Sequence, residues 1–506
     1  MDPRSSDKKG EVAVWMAGWL AQRLKPFIEE MGKRGYEVSV ICSTEVDRKL
    51  VLKEHKEAIK EVVSVSEVFD RFWEERPKMQ VQEVIEKAKR NEDCYPEPLI
   101  DLIKADRHMG RGFVRGGWYP RSLLSESVDY VEYLDMINRM LHFLDAFFSR
   151  HLFRVLLTEV ASFPTKAACV VARAKGVKIR TPHPSRIEDL YFFAHNEFLE
   201  IPPLEGHYHD ILMNGGGVSP EGATLCQQES YGLAKSEIGT YLEYGSLRVT
   251  LKGILQQLVV QAYRKLRKYD VYSPYYVRDR VKAVWRYHRG IREFEKRHFP
   301  GMNEFDGKKV VFYPLQLEPE SALLVMSPEF SHQEYLIHLL ASNLPAGWTL
   351  VVKEHPLALG TRPPGFYETV EGYPNVVFVK PLDSAKEWCS KSQAVAMITG
   401  SVGYEAAIDG VPVISFGKHN FIKMLDYVFE VDSHETVRRA MDRIGRGEIP
   451  DERERKRQGC ALKEALKRIS FPLDGSPQVT KGDEAKAATG MSLFTERLIE
   501  SLKGEG

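Results

Sequence analysis

The sequence predicts an α/β protein built on doubly wound parallel sheets. Three observations carry that expectation. Strand-like apolar runs at 310–315, 350–353, 376–379, 395–399 and 411–416 alternate with helical stretches near 331–343, 384–392 and 402–409. Closer to the N-terminus, a strand pattern at 12–17, a helix pattern at about 20–33 stopped by Gly35, and a strand pattern at 36–42 form a βαβ unit. Finally, 506 residues are too many for one ordinary core, so two domains are expected.

The remaining elements follow in chain order. Residues 1–10 are polar and expected to be disordered. Segments 66–90 and 121–150 are rich in helix formers with helical apolar spacing, and 153–159, 164–175 and 177–181 read as strand, helix and strand. These make 11–204 the first domain. Gly215-Gly-Gly217 and Ser219-Pro220 then mark a loop, and about 250–298 is helical, basic and aromatic. Residues 205–305 are therefore expected to connect the domains, with the second domain at 306–450. The remainder, 451–506, reads as a charged linker followed by a helix at 490–503.

Composition narrows the function classes. Lys+Arg and Asp+Glu are both 71, so no global field draws the chain to nucleic acid. Six cysteines are scattered without a CxxC pair, which argues against a zinc site or disulfide framework and fits a reducing compartment. The first residues lack the apolar core of a signal peptide, and no apolar run approaches the ~20 residues that span a bilayer. A cytoplasmic protein is expected. The Lys/Arg-rich segment 263–299, interleaved with Tyr272, Tyr275, Tyr276, Trp285 and Tyr287, suits either an exposed amphipathic helix pair or peripheral contact with the inner membrane.

Three segments carry chemistry, each placed after the carboxyl end of an expected parallel strand, where such sheets bind ligands. They are Tyr313-Pro-Leu-Gln-Leu-Glu-Pro-Glu-Ser321, Lys353-Glu-His-Pro356 and Thr399-Gly-Ser-Val-Gly-Tyr-Glu405. In the last of them the start of a helix presents backbone N–H groups and a positive dipole end, a ready phosphate site. Gln316, Glu320, Ser321, Lys353, His355, Pro356, Thr399, Gly400, Ser401, Gly403 and Glu405 are the candidate nucleotide-sugar residues, with Glu405 assigned to a sugar hydroxyl. The bland readings are a turn at Thr-Gly-Ser and a loop cap at Gln316. A second His-Pro, His183-Pro184, also shows that the dipeptide is not diagnostic alone. There is no GxxxxGK[ST], no GxSxG and no Asp-x-Asp pair, while His207-Tyr-His-Asp210 is a weak metal candidate; no resident metal or cofactor is expected.

Taken together, Gln316 with Glu320-Ser321, Lys353-Glu-His-Pro356 and Thr399 to Ala406 with Gly410-Val-Pro-Val-Ile-Ser-Phe-Gly417 resemble the capsular polysaccharide biosynthesis family, which includes bacterial Kdo transferases. Asp106-Arg-His-Met-Gly-Arg111 is similar to related surface-carbohydrate proteins. The resemblance implies a GT-B fold, with two Rossmann-like domains facing across a cleft and the donor nucleotide on the second. It implies that His355 and Ser401 hold phosphate and that Glu405 holds ribose. Two departures stand out: Glu320 where the family usually has Asp, and Lys353-Glu354 before His355 where Lys-Pro is usual.

The expected activity is metal-independent transfer of a sugar from a nucleotide-sugar, with a CMP-linked acidic sugar such as Kdo as one donor class. The acceptor would be a surface polysaccharide or lipid-linked glycan. The catalytic base is expected from the first domain, with Glu159, at a strand end, ahead of His108, Asp106 and His183. The alternatives are a non-hydrolysing nucleotide-sugar 2-epimerase and an inactive GT-B scaffold in a polysaccharide assembly complex.

Overall fold

The computed structural model describes residues 9–16, 23–75, 78–106, 129–185, 190–214, 235–266, 277–318, 320, 322–363, 365–417, 421–473 and 484–503. His108 and Ser321 lie outside them. Two sheets organise the chain. The first comprises β1 (Gly10–Met16), β2 (Tyr36–Cys42), β3 (Glu61–Ser64), β4 (Phe153–Leu157), β5 (Lys178–Pro184) and β6 (Leu190–Ala194). The second comprises β7 (Lys309–Pro314), β8 (Trp348–Lys353), β9 (Val376–Val379), β10 (Ala394–Met397), β11 (Val413–Ser415) and β12 (Val428–Glu430). A two-residue strand, β13 (Phe471–Pro472), returns to the first sheet and pairs antiparallel with β6.

The strand orders are β13-β6-β5-β4-β1-β2-β3 and β12-β11-β10-β7-β8-β9. The second sheet is parallel throughout, and its order reverses direction between β7 and β10. In the first sheet the same reversal falls between β1 and β4. Both are doubly wound sheets of the Rossmann kind, the pair that defines GT-B proteins. Helices on both faces explain the strand composition: Val12 to Met16 and Val310 to Tyr313 are buried without a polar alternation. The helix Leu24–Lys33 buries Leu24, Phe27, Ile28 and Met31, an i, i+3, i+4, i+7 stripe. Asp129 starts the helix Tyr130–Ser149 with a capping box, accepting from Val131 N at 3.1 Å while Glu132 Oε2 accepts from Asp129 N at 3.0 Å.

Several elements differ from the sequence expectation. Strands β3, β6 and β12 and the helices Glu45–His55 and His434–Gly445 have no counterpart in it. Residues 452–469 are a regular helix that packs on Pro202–Asn214 and Ser401–Ile408. The last helix, Glu484–Lys503, lies on Leu24–Lys33 in the first domain, where Phe494 meets Phe27, Phe193 and Phe471 edge-on. The chain thus crosses between the two sheets twice. Among the described residues Cys42, Cys94, Cys169 and Cys389 are free thiols. Among the described residues no helix is long and apolar enough to cross a membrane.

Candidate functional site

The strand reversal of the second sheet dictates where a site can form. Chain leaves β7 and β10 in opposite lateral directions, opening a crevice beyond their carboxyl ends. Gln316, two residues past β7, closes the floor of that crevice. Its side-chain amide reads Thr399, two residues past β10, twice: Gln316 Nε2 donates to Thr399 Oγ1, and Thr399 N donates to Gln316 Oε1 at 3.0 Å. Both residues are buried, so these bonds form in a low dielectric and fix the two loops relative to one another.

Above this clamp Gly400 caps the helix Ser401–Ile408 with no side-chain cap bond. The helix is held close to the sheet by Gly403, where a Cβ would sit 2.1 Å from Met397 Sδ and 2.8 Å from Met397 Cβ. Gly403→Val should therefore cost about 1–3 kcal/mol by overpacking and displace the helix start, which paired thermal unfolding and nucleotide titration would register as a lower melting temperature and weaker binding.

The β8 loop supplies the third wall. His355 caps the short turn Pro356–Ala358, its Nδ1 accepting from Leu357 N at 3.2 Å. A backbone N–H can only donate, so the neutral ring carries its proton on Nε2. Glu354 borders the same crevice but is fully buried. Its carboxylate accepts from Arg362 Nη2 at 2.7 Å, Arg362 Nε at 2.9 Å, Tyr367 OH at 3.0 Å and His355 N at 2.6 Å. Arg362 also donates to the Gln316 carbonyl at 2.7 Å and pairs with Glu318 at 3.1 Å. Burial alone would lower the Arg362 pKa, but Glu354 and then Glu318 outweigh it and drive it up. Gln333 completes the lattice: it accepts from Gln316 N at 2.7 Å and donates to Gln316 O at 2.9 Å and to Glu318 Oε1 at 2.6 Å. Glu354 thus anchors Arg362 under the His355 loop.

These walls enclose a cleft of about 390 Å³ that also touches the first domain. Pro314, Leu315, Gln316, Glu320, Lys353, His355, Thr399, Gly400, Ser401 and Tyr404 line it from one side and His183 and Leu199 from the other. Lys353, buried at the end of β8, brings a cation to the same wall as the helix start. Of the described first-domain candidates, His183 lines the cleft. It sits near the end of β5, with Nδ1 2.8 Å from the Pro184 carbonyl. A carbonyl can only accept, so Nδ1 holds the proton and Nε2 is the basic nitrogen of the neutral ring. Glu159 is exposed after β4, Asp106 is buried, and neither lines the cleft. Pro356, Gly403 and Glu405 lie behind the wall. Glu405 is buried within its helix, close enough to Cys389 to help burial raise that thiol. Among the described residues no group of three or more His, Cys, Asp or Glu converges as a metal site.

The three loops that build this wall fall within one stretch of sequence. Residues 222–424 match the capsule polysaccharide biosynthesis protein family. The matched segment contains the Gln316, His355 and Ser401 loops but not His183, so the first domain's contribution lies outside the family signature. No curated protein matches the chain. Among solved structures, Anabaena HepE in complex with UDP is 9% identical, with 97% of this chain and 100% of that chain covered and a TM-score of 0.33. A glycosyltransferase from Rickettsia africae is 8% identical over 98% and 100%, with a TM-score of 0.29. UDP-GlcNAc 2-epimerase from Neisseria meningitidis bound to UDP-GlcNAc is 10% identical over 97% and 99%, also at 0.29. With TM-scores this low, the fold rests on the two strand orders and the function on the cleft and the family segment.

Sequence reading missed Gln333 and Arg362 and did not single out Glu318 within the Tyr313–Ser321 segment; all three position the loops from beneath. Gln333 opens the helix Gln333–Asn343 and Arg362 follows a turn, so neither belongs to a motif after a strand. The available signal was an arginine nine residues past β8 with a glutamate directly after that strand.

Proposed function

We propose that the protein is a metal-independent glycosyltransferase that moves a sugar from a nucleotide donor to a surface-polysaccharide or lipid-linked acceptor. The observation that carries this reading is the Gln316–Thr399 clamp at the strand reversal, which fixes a helix start without a side-chain cap beside His355 on one wall of a cleft shared by both domains. The donor's phosphates would take hydrogen bonds from the N–H groups at Ser401 and Val402, from the Ser401 hydroxyl and from His355 Nε2–H, with Lys353 adding charge. Such donors strengthen as the leaving phosphate gains charge. The sugar would then face His183, whose basic Nε2 suits it to deprotonate an acceptor hydroxyl. A CMP-linked acidic sugar such as Kdo is the donor class that the family resemblance favours.

His355→Ala and Ser401→Ala should each weaken nucleotide affinity about 10- to 150-fold, the worth of one hydrogen bond to a charged group, with the fold retained. Calorimetric titration with CMP, UDP, GDP and ADP checks this. Native affinity in both variants would remove the phosphate site. Interconversion of a nucleotide-sugar without acceptor would replace the transferase reading with an epimerase, and binding without turnover would leave a scaffold.

A further inference from the structure

The helix Leu247–Leu266 has a surface that the donor cleft does not use. Its apolar residues point outward: Leu251 is 53% exposed, Leu255 62%, Val259 63% and Leu266 84%. From Leu255 to the end of the helix every described residue is exposed. Single exposed leucines are ordinary, but a continuous row along three turns is not. The helix sequence, LRVTLKGILQQLVVQAYRKL, has four Lys/Arg and no acid, in a chain where the two charge types balance at 71 each. The neighbouring helix Val277–Phe294, which packs against it, has six Lys/Arg and two acids, with Trp285 half exposed.

We propose that this helix hairpin docks the protein on an anionic lipid bilayer, with the Leu247–Leu266 helix lying in the interface plane. Apolar residues would enter the headgroup–acyl boundary while the cations meet lipid phosphates. The charge argues for this occupant over a second copy of the chain, because two-fold pairing of this face would set cation against cation. The apolar, aromatic row argues for a lipid surface over a soluble polyanion, which needs no exposed leucines. Of the basic aromatic stretch expected at 263–299, Tyr263 and Trp285 are exposed on this hairpin, while Tyr272, Tyr275 and Tyr276 lie outside the described residues. The hairpin is fastened to the donor wall: Tyr287 OH donates to the Pro356 carbonyl at 3.1 Å, and Gly290 approaches Gly360 so closely that a Cβ there would lie 2.4 Å from Gly360 N. A docked hairpin would therefore hold the His355 loop at a set height above the lipid.

The test is flotation of the full chain with vesicles of phosphatidylglycerol and phosphatidylcholine, against vesicles of phosphatidylcholine alone. The native protein should float with the anionic vesicles, less so in high salt, and stay behind with the neutral ones. Leu255→Ser/Val259→Ser should lower the vesicle affinity roughly tenfold or more, and Arg248→Glu/Lys252→Glu should do the same. All four positions are surface residues, so both variants should melt with the native protein. Absence of flotation by the native chain would overturn the proposal, as would native flotation of the Leu255→Ser/Val259→Ser variant. A concentration-dependent dimer abolished by that variant would assign the face to a second copy instead, and retention on a soluble polyanion without flotation would leave a purely electrostatic surface.

Discussion

An Arg362→Met protein should unfold about 3–5 kcal/mol more readily than the native chain, a larger loss than Gly403→Val should cause. The cause is not the loss of a cation but the two carboxylates left behind. Glu354 and Glu318 are both buried, and Arg362 is the cation placed against each of them. Methionine matches the volume of the side-chain stem and compensates neither charge. Because total stabilities of folded domains are roughly 5–15 kcal/mol, the second domain should be left marginal, with a melting temperature lower by several degrees. Arg362→Met/Glu354→Gln should regain part of the loss: the amide oxygen can still accept from His355 N, the amide nitrogen can donate to the Tyr367 hydroxyl oxygen, and one buried charge is gone. Calorimetric unfolding of the two variants decides the matter. Equal stability of the single and double variants would mean that Glu354 is not the group Arg362 compensates.

His183→Ala should lower the rate of sugar transfer by about 10²- to 10⁴-fold, the usual worth of a positioned general base, while nucleotide affinity stays native. This follows from its place on the first-domain side of the cleft and from the Pro184 carbonyl that orients its ring. His183→Gln, which keeps the polar contact but cannot accept a proton near neutrality, should be as impaired as the alanine variant. Steady-state transfer assays with matched calorimetric titrations separate the effects. A transfer rate close to native in both variants would sink the base assignment and return attention to the exposed Glu159.

How much of the fold and site is legible in the sequence follows from burial. Strands β7, β8 and β10 are buried on both faces, so their apolar runs stand out in the sequence, and the residues just after them are the site loops. Strands β3 and β12 are only four and three residues long and partly exposed, leaving no run to detect. The helix Glu452–Ile469 hides behind its charges: its buried stripe includes Gly459, Cys460, Ala461 and Ala465, small residues that close packing against Ile408 demands and that hydropathy scarcely marks. In the site, Gln316, His355 and Ser401 are visible because a strand end positions each. Arg362 and Gln333 are not, because their role is to satisfy buried polar groups brought together by the fold. His183 ranks low on sequence because strand β5 runs on to Pro184, carrying the imidazole to the rim, where the apolar pattern suggests an end at Thr181.

The second crossing of the chain sets a timetable for biosynthesis. The core of the first domain that contains Val12, Phe27 and Phe193 is closed by Phe471, Met491, Phe494 and Leu498. At about 5–20 residues per second, a ribosome needs roughly 15–60 seconds to translate from the end of the first domain's main body to that final helix. For that interval the nascent N-terminal sheet has an uncovered apolar face outside the exit tunnel, and only release of the last helix can shield it. The half of the protein made first is therefore the half finished last, and a chain cut short before Glu484 would leave its wound at the opposite end of the sequence from the cut.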